Sequence, residues 1–470
     1  MAISTTDFGA SFKAFMDQMA SQGPVEEPVF LRRLRDHFSR DPTTLPIVSE
    51  KFENYEHANV HVAIEDFLAQ PGRSAEIIGI IQEQRYFGTS LSDLVASSSP
   101  GLIGTSRPKE GPVQYVNIAL EEGRVLTCVQ SGLFLVRDGD QRLAVLVEAA
   151  GREFHPYAKL KVEVMGAELT PAERFLANLR TTMRRRNVFR GHVISVGMNE
   201  MHSLEIKFHH LPNIRRENII LPEGLLGRIE RQTIHFGKHT EKLLAAGRHL
   251  KRGLLFHGAP GTGKTLTAMY LAGEISQRTV LLLTGRGLGL IEQSCSLART
   301  LQPSIVILED VDLVAEERTR REAGCATPLL FELLNEMDGL ADDADVLFLL
   351  TTNRPDILEP ALAARPGRID QAFEIPLPNT ACRRQLFELY GRGLNLRVHD
   401  RDRFIQRTKG ASAAFIRELM RKAALFAADD NPQIIIEDRH LDEALHELVV
   451  QGGELTQSLL GFQSARAPVD

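Results

Sequence analysis

The spacing of apolar residues changes several times along the chain, and each change predicts a different kind of element. Near the start, Phe8, Phe12, Phe15, Met16 and Met19 recur at helical spacing, which predicts an amphipathic helix with a packed face. Residues 1–96 as a whole read as a mostly helical region. Residues 97–112 (SSSPGLIGTSRPKEGP) turn small, polar and proline-rich, and mark a linker. Period two then takes over. Val125, Thr127 and Val129 alternate, apolar runs at 133–136 and 143–147 flank an Asp138-Gly139 turn, and Leu160, Val162 and Val164 alternate again. A helical pattern at 171–187 and strand-like runs at 188–196 and 204–208 complete a small α/β or β-rich domain over 113–212.

From 213 to 377 the pattern changes again. Short continuous apolar runs around Gly253, Thr279, Ser304, Val346 and Ala372 alternate with helical segments. Strands buried on both faces and separated by helices specify an α/β fold, a parallel sheet with helices on both sides. After Pro378 the chain reads as helical to about residue 452, and 453–470 is expected to be a loosely ordered tail.

Composition narrows the class. A chain of 470 residues has room for about two to four domains, and 43% hydrophobic residues can fill their cores. A net charge of −6 argues against a protein built mainly to bind nucleic acid. No run of 18 apolar residues occurs and the N-terminus has no basic-then-apolar leader pattern, so a cytoplasmic protein with no membrane span is expected. Cys128, Cys295, Cys325 and Cys382 lack C-x-x-C spacing and are expected to be buried small residues. His446-Glu447 opens an H-E-x-x-H pattern, but Val450 stands where the second histidine would be.

The chemistry lies in four motifs, in order. The first is Gly258, Ala259, Pro260, Gly261, Thr262, Gly263, Lys264, Thr265 and Leu266, between a short strand and a helix. Its glycines let backbone N–H groups turn toward phosphates, and the helix adds its positive end. Lys264 is expected to reach the β and γ phosphates of ATP, with the Thr265 hydroxyl on Mg²⁺. The second motif, IVILED, ends a buried strand in Glu309 and Asp310. Glu309 is assigned to the metal and Asp310 to the attacking water. Asp312 is read as the N-cap of the following helix. TTNR at 351–354 and RPGR at 365–368 follow.

With LLNEMDGL at 333–340, these residues resemble the AAA family of ring-forming ATPases over roughly 219–450, most diagnostically in the block 351–370. The resemblance implies a P-loop NTPase core with a helical lid over 378–452. It makes Asn353 a polar sensor of the γ-phosphate, and Arg365 and Arg368 arginine fingers that reach a neighbouring subunit's ATP. Catalysis then needs a homo-oligomer, a hexamer or alternatively a heptamer. Several positions depart from the family pattern. The acids are Glu-Asp instead of Asp-Glu, which predicts slower hydrolysis. ALAARPGR carries one residue more than ALLRPGR, IILPEGL replaces the usual adenine-pocket segment, and Ala413 replaces a glycine at the start of a lid helix. Residues 284–296 (TGRGLGLIEQSCS) have no aromatic for a central pore. With the Leu-Glu-Asp-Val-Asp segment, this resembles the branch containing the mitochondrial Rieske-protein translocase, which moves folded cargo; the alternative, of equal weight, is a family member whose pore loop has lost its aromatic.

The expected function is ATP-driven remodelling or translocation of a protein cargo selected by the N-terminal region. The alternative is a nucleotide-gated assembly scaffold with slow hydrolysis. Arg180, Arg184, Arg185, Arg186 and Arg190 form a basic stripe. No aromatics interleave to stack bases, so it reads as a solvated helix face and not as a nucleic-acid surface.

Overall fold

In the computed structural model of the chain, the described residues are 9, 11–15, 27–81, 88–96, 108–120, 123–149, 159–200, 203–275, 277–284, 289–312, 328–339, 341, 343–358, 368–430, 433–451 and 461. Two units emerge. One comprises Met1–Val188 with Met198–Glu205, the other Phe189–Gly197 with Ile206–Asp470.

The first unit contains α1 (Val29–Phe38), β1 (Ile47–Phe52), α2 (His57–Leu68), β2 (Arg73–Ile81), α3 (Leu91–Val95), β3 (Lys109–Gly111), β4 (Gln114–Ala119), β5 (Val125–Asp138), β6 (Gln141–Glu148), β7 (Leu160–Gly166) and α4 (Leu169–Arg185). Its sheet runs β1-β7-β6-β5-β2-β3, with β4 also on β5. A two-residue turn with Gly139 at positive φ joins β5 to β6, as the Asp-Gly pair predicts. Successive β6 residues enter opposite cores. Leu143, Val145 and Val147 face α2 and α4 through Ile64, Phe67, Phe175 and Leu179. Ala144 and Leu146 share the other core with Phe30 and Leu34 of α1 and Leu91 and Leu94 of α3.

This arrangement corrects the division expected from composition. The segment 1–96 is not a separate helical region, because β1 pairs with β7 and β2 with β5. Its helices supply the cover that both sheet faces require. The stretch 97–112 does not separate domains either, since β3 lies within it and pairs with β2. The expected packed face near the N-terminus is also not seen where it is described: Phe12 and Phe15 are 43% and 54% exposed. Phe8, Met16 and Met19 lie outside the described residues. The basic stripe stays on an exposed helix face, and its side chains meet partners there. Arg180 pairs with Glu50, Arg185 and Arg186 pair with Asp66, and Arg190 donates to the carbonyls of Thr300 and Gln302.

The second unit contains β8 (Val193–Met198), β9 (Leu204–His209), α5 (Leu225–Glu230), α6 (Thr240–Ala245), β10 (Arg252–His257), α7 (Lys264–Glu274), β11 (Thr279–Leu283), α8 (Ile291–Thr300), β12 (Ser304–Leu308), α9 (Pro328–Asp338), β13 (Val346–Thr352) and β14 (Gln371–Glu374). The sheet order is β14-β10-β13-β12-β11-β8-β9. The five strands expected from 213–377 pair in parallel. The runs at 188–196 and 204–208, expected in the preceding domain, lie in this second sheet, although Val188 and Met198–Glu205 group with the first unit. They form β8 and β9, and β8 pairs with β11 through Val193↔Val280 and Ile194↔Leu281.

A helical subdomain follows, made of α10 (Thr380–Tyr390), β15 (Asn395–Arg397), α11 (Arg401–Arg407), α12 (Ala413–Asp430), β16 (Ile435–Glu437) and α13 (Asp438–His446). Phe404, Phe415, Leu419 and Leu441 are buried at its centre. Asn379 caps α10 by accepting from the Cys382 N–H at 2.9 Å. Buried Arg383 donates to the carbonyls of Pro378 and Ile405, tying the entry of the subdomain to α11. Cys128, Cys295 and Cys382 are buried free thiols, and Cys325 lies outside the described residues. Among the described residues no helix is long and apolar enough to cross a membrane.

Candidate nucleotide site

The loop after β10 needs its glycines. Gly258, Gly261 and Gly263 have φ of 144°, 73° and 102°, in the region side chains disfavour. Added methyls at the first two would also collide: 2.3 Å from the Ile375 carbonyl oxygen at Gly258, 2.7 Å from Ser412 Oγ at Gly261. The Thr262 hydroxyl donates to the Ala259 carbonyl at 2.9 Å and braces the turn. The loop runs straight into α7, whose first-turn N–H groups have no intrahelical acceptor and therefore form an anion-binding end.

Lys264 is the first residue of α7, and only 6% of it is exposed. Its Nζ donates to the carbonyls of Gly258 and Ala259, both at 2.9 Å. Burial lowers its pKa, and the fields of Asp310 and Asp312 oppose that shift. A cation held this way, folded against the loop and facing two acids, can exchange carbonyl partners for phosphate oxygens. Thr265 and Leu266 beside it are exposed.

The acids stand at the end of β12. Glu309 Oε1 is buried with no protein hydrogen-bond partner. Burial, followed by the Asp310 charge, pushes its carboxyl above the ordinary range. An orphaned carboxylate oxygen and an exposed Thr265 hydroxyl are hard oxygen donors of the kind Mg²⁺ takes, so the residues fit the metal. The raised value has a sign that can be tested. An acid with a folded pKa above its unfolded one costs stability once pH exceeds both, so at neutral pH the ionised form strains the nucleotide-free fold. Glu309→Gln is therefore expected to raise the nucleotide-free melting temperature by about 2 °C. A lower melting temperature by calorimetry would contradict this account of Glu309.

Asp310 has φ of 49°, uncommon for a residue with a side chain. Two residues at the end of the neighbouring strand, one in β13 and one just beyond it, hold it there. Its N–H donates to Thr351 Oγ1 at 3.1 Å, and its Oδ1 accepts from Asn353 Nδ2 at 3.1 Å. The expected acid and sensor are thus in direct contact. Asp312 is not the expected N-cap. It is buried, and its Oδ1 accepts from the Thr352 hydroxyl at 2.8 Å and the Asn353 N–H at 3.2 Å. Its carboxylate ties the ends of β12 and β13 together, because the Thr352 hydroxyl and Asn353 amide are the donors it meets when buried there. Thr351 and Thr352, to which the sequence reading gave no separate role, and Asp312, which it read only as a cap, hold Asp310 and Asn353 in place. The i, i+2 spacing of the two aspartates beside a Thr-Thr-Asn strand end is the signal that could have found them.

The two arginines separate. Arg368 pairs with Asp338 of its own chain, and its side chain is 15% exposed. Arg365 lies outside the described residues, as do 285–288 of the segment expected to face a pore. A further network borders the segment 219–225, which stands in place of the family's usual adenine-pocket segment. Arg216 donates to Glu230 at 2.8 Å, and the buried Tyr270 hydroxyl on α7 donates to the same carboxylate at 2.7 Å. Burial alone would raise the Glu230 pKa, but these bonds outweigh it and hold the group below its usual range. Ile219 packs into the sheet core and Ile220 against the helical subdomain, so this clamp fixes the strip of chain between them.

Residues 254–377 match the ATPase family associated with various cellular activities, AAA. The chain is 31% identical over 233 residues to a proteasome-activating nucleotidase of Thermococcus onnurineus, covering 47% of this chain and 58% of that protein. It is 32% identical over 247 residues to the chloroplastic ATP-dependent zinc metalloprotease FTSH 1 of Oryza sativa subsp. japonica, covering 50% of this chain and 36% of that one. The chain thus spans about a third to six tenths of the length of these relatives. An H-E-x-x-H motif is absent from its 470 residues. The matched stretch coincides with β10 through β14 and the loop, acid pair and sensor built on them, so the chain carries an ATPase domain of the AAA family.

Proposed function

We propose that this chain is a Mg²⁺-dependent ATPase that works as a ring, a homohexamer, and remodels or translocates a protein cargo. The observation that carries the reading is the contact between Asp310 and Asn353 beside the phosphate loop. Thr265 and Glu309 would hold the metal, which supplies charge neutralisation on the phosphates. Lys264 leaves the Gly258 and Ala259 carbonyls for phosphate oxygens. Asp310 takes a proton from water as the water oxygen bonds to the γ-phosphorus and the bond to ADP breaks, with Asn353 fixing the carboxylate. Arg365 of a neighbouring copy stabilises the charge that develops, a role supported by the pairing of Arg368 within its own chain. Residues 284–296 contain no aromatic side chain, which supports movement of folded cargo over gripping of an extended chain.

The test is steady-state ATPase activity against protein concentration in the presence of Mg²⁺. Specific activity should rise as rings assemble and vanish with chelation. Activity flat with concentration would remove the interface requirement and favour the nucleotide-gated scaffold.

A further inference from the structure

We infer that Gly461 is a positioning residue for the phosphate loop, a brace that sets nucleotide affinity from the far end of the chain. The inference rests on the loop being the nucleotide site. Gly461 is buried and has φ of 64°. Its Cα lies so close to the loop that an added methyl would sit 2.2 Å from the Pro260 carbonyl oxygen and 3.1 Å from Ser412 Cβ. Both conditions, a left-handed backbone and backbone packed on backbone, select glycine.

The same junction is closed from a third side. The Gly261 carbonyl accepts from the Ala414 N–H at 3.1 Å, and a methyl on Gly261 would lie 2.9 Å from Ala414 Cβ. Ser412 is fully buried, and its hydroxyl accepts from the Phe415 N–H at 3.1 Å, capping the first turn of α12. Residues 260–261, 412–414 and 461 therefore meet with no space for a side chain at either glycine. The Pro260 and Gly261 peptides belong to the turn whose N–H groups must face phosphate. Contacts that remove their alternative conformations pre-organise the turn, and a small displacement of such a turn is costly. Gly461 touches both the loop and the residue that caps α12, so it also fixes the loop against the helical subdomain.

The test uses the full-length chain and a fluorescent ADP analogue, with Lys264→Ala as the reference for lost binding. Gly461→Val is expected to weaken ADP binding at least about 10-fold and to raise KM for ATP more than it changes kcat. Its nucleotide-free melting temperature should stay within a few degrees of wild type. A chain ending at Gln451 should show the same loss, which keeps the inference testable if the valine variant folds poorly. Wild-type affinity in both variants overturns it. So does a loss of affinity matched, in both variants, by collapse of the nucleotide-free melting transition, the mark of a purely structural role. Failure of the wild-type chain itself to bind ADP would refute the nucleotide reading instead, and the two failures are told apart by that control.

Discussion

Asp310→Asn is expected to bind ATP within about twofold of wild type while turnover falls by about 10²- to 10⁴-fold. The substitution is close to isosteric. Asparagine tolerates the positive φ at this position as well as aspartate does, and its amide oxygen can still accept from Asn353 Nδ2. What disappears is the negative charge and with it the proton acceptor. Lys264 also loses one of the two carboxylates that favour its protonated form, but Asp312 remains. Equilibrium binding together with single-turnover hydrolysis separates the two effects. Unchanged turnover would remove Asp310 from the role of base, and the orphaned oxygen of Glu309 would become the next carboxylate to examine.

Arg365→Ala is expected to lower kcat by about 10³-fold or more with little change in nucleotide affinity, because an arginine acting across an interface serves the transition state and not the ground state. Arg368→Ala should behave differently. It breaks the pair with Asp338 beside the start of β14, so its first effect should be on stability. The two mechanisms separate in a mixing experiment. Asp310→Asn subunits retain Arg365 and Arg365→Ala subunits retain the base, so a mixed ring contains some complete interfaces. Combining the two inactive proteins should restore activity well above their sum. If no mixing ratio does so, Arg365 does not act in trans.

Much of the second unit was legible in the sequence because its signals are local. The phosphate loop is one contiguous stretch, and its strand and helix adjoin it. Five apolar runs separated by helices leave few topologies for a parallel sheet. The contact between Asp310 and Asn353 needed only the knowledge that both strand ends lie at one edge of the sheet. Other features depend on partners remote in sequence. Strand β6 is apolar at consecutive positions because each face has its own core, and no period in its sequence says which helices supply the cover. The pairing of Ile47 with Met165 closes the sheet over more than a hundred intervening residues, and a composition break at 97–112 looked like a boundary only because that closure was hidden. Strands β8 and β9 have ordinary strand patterns, and the pairing of β8 with β11 is decided by the edge available. Asp312 illustrates the same limit at one residue. A helix-capping reading fits its neighbours in sequence, whereas the donors it meets come from the last residue of β13 and the residue after it.

The two-faced burial of the first unit also governs how the protein can be dissected. A fragment beginning at residue 113 would keep β4 to β7 and α4 but lose α1 and α3, so Leu133, Leu135, Ala144 and Leu146 would meet water together. It would lose β1 and β2 as well, leaving the outer edge of β7 and much of β5 without pairing partners. Bare apolar faces next to open strand edges invite self-association. Expression of such a piece should yield aggregate, whereas one spanning residues 27 to 188 retains every strand of the sheet and both of its helical covers.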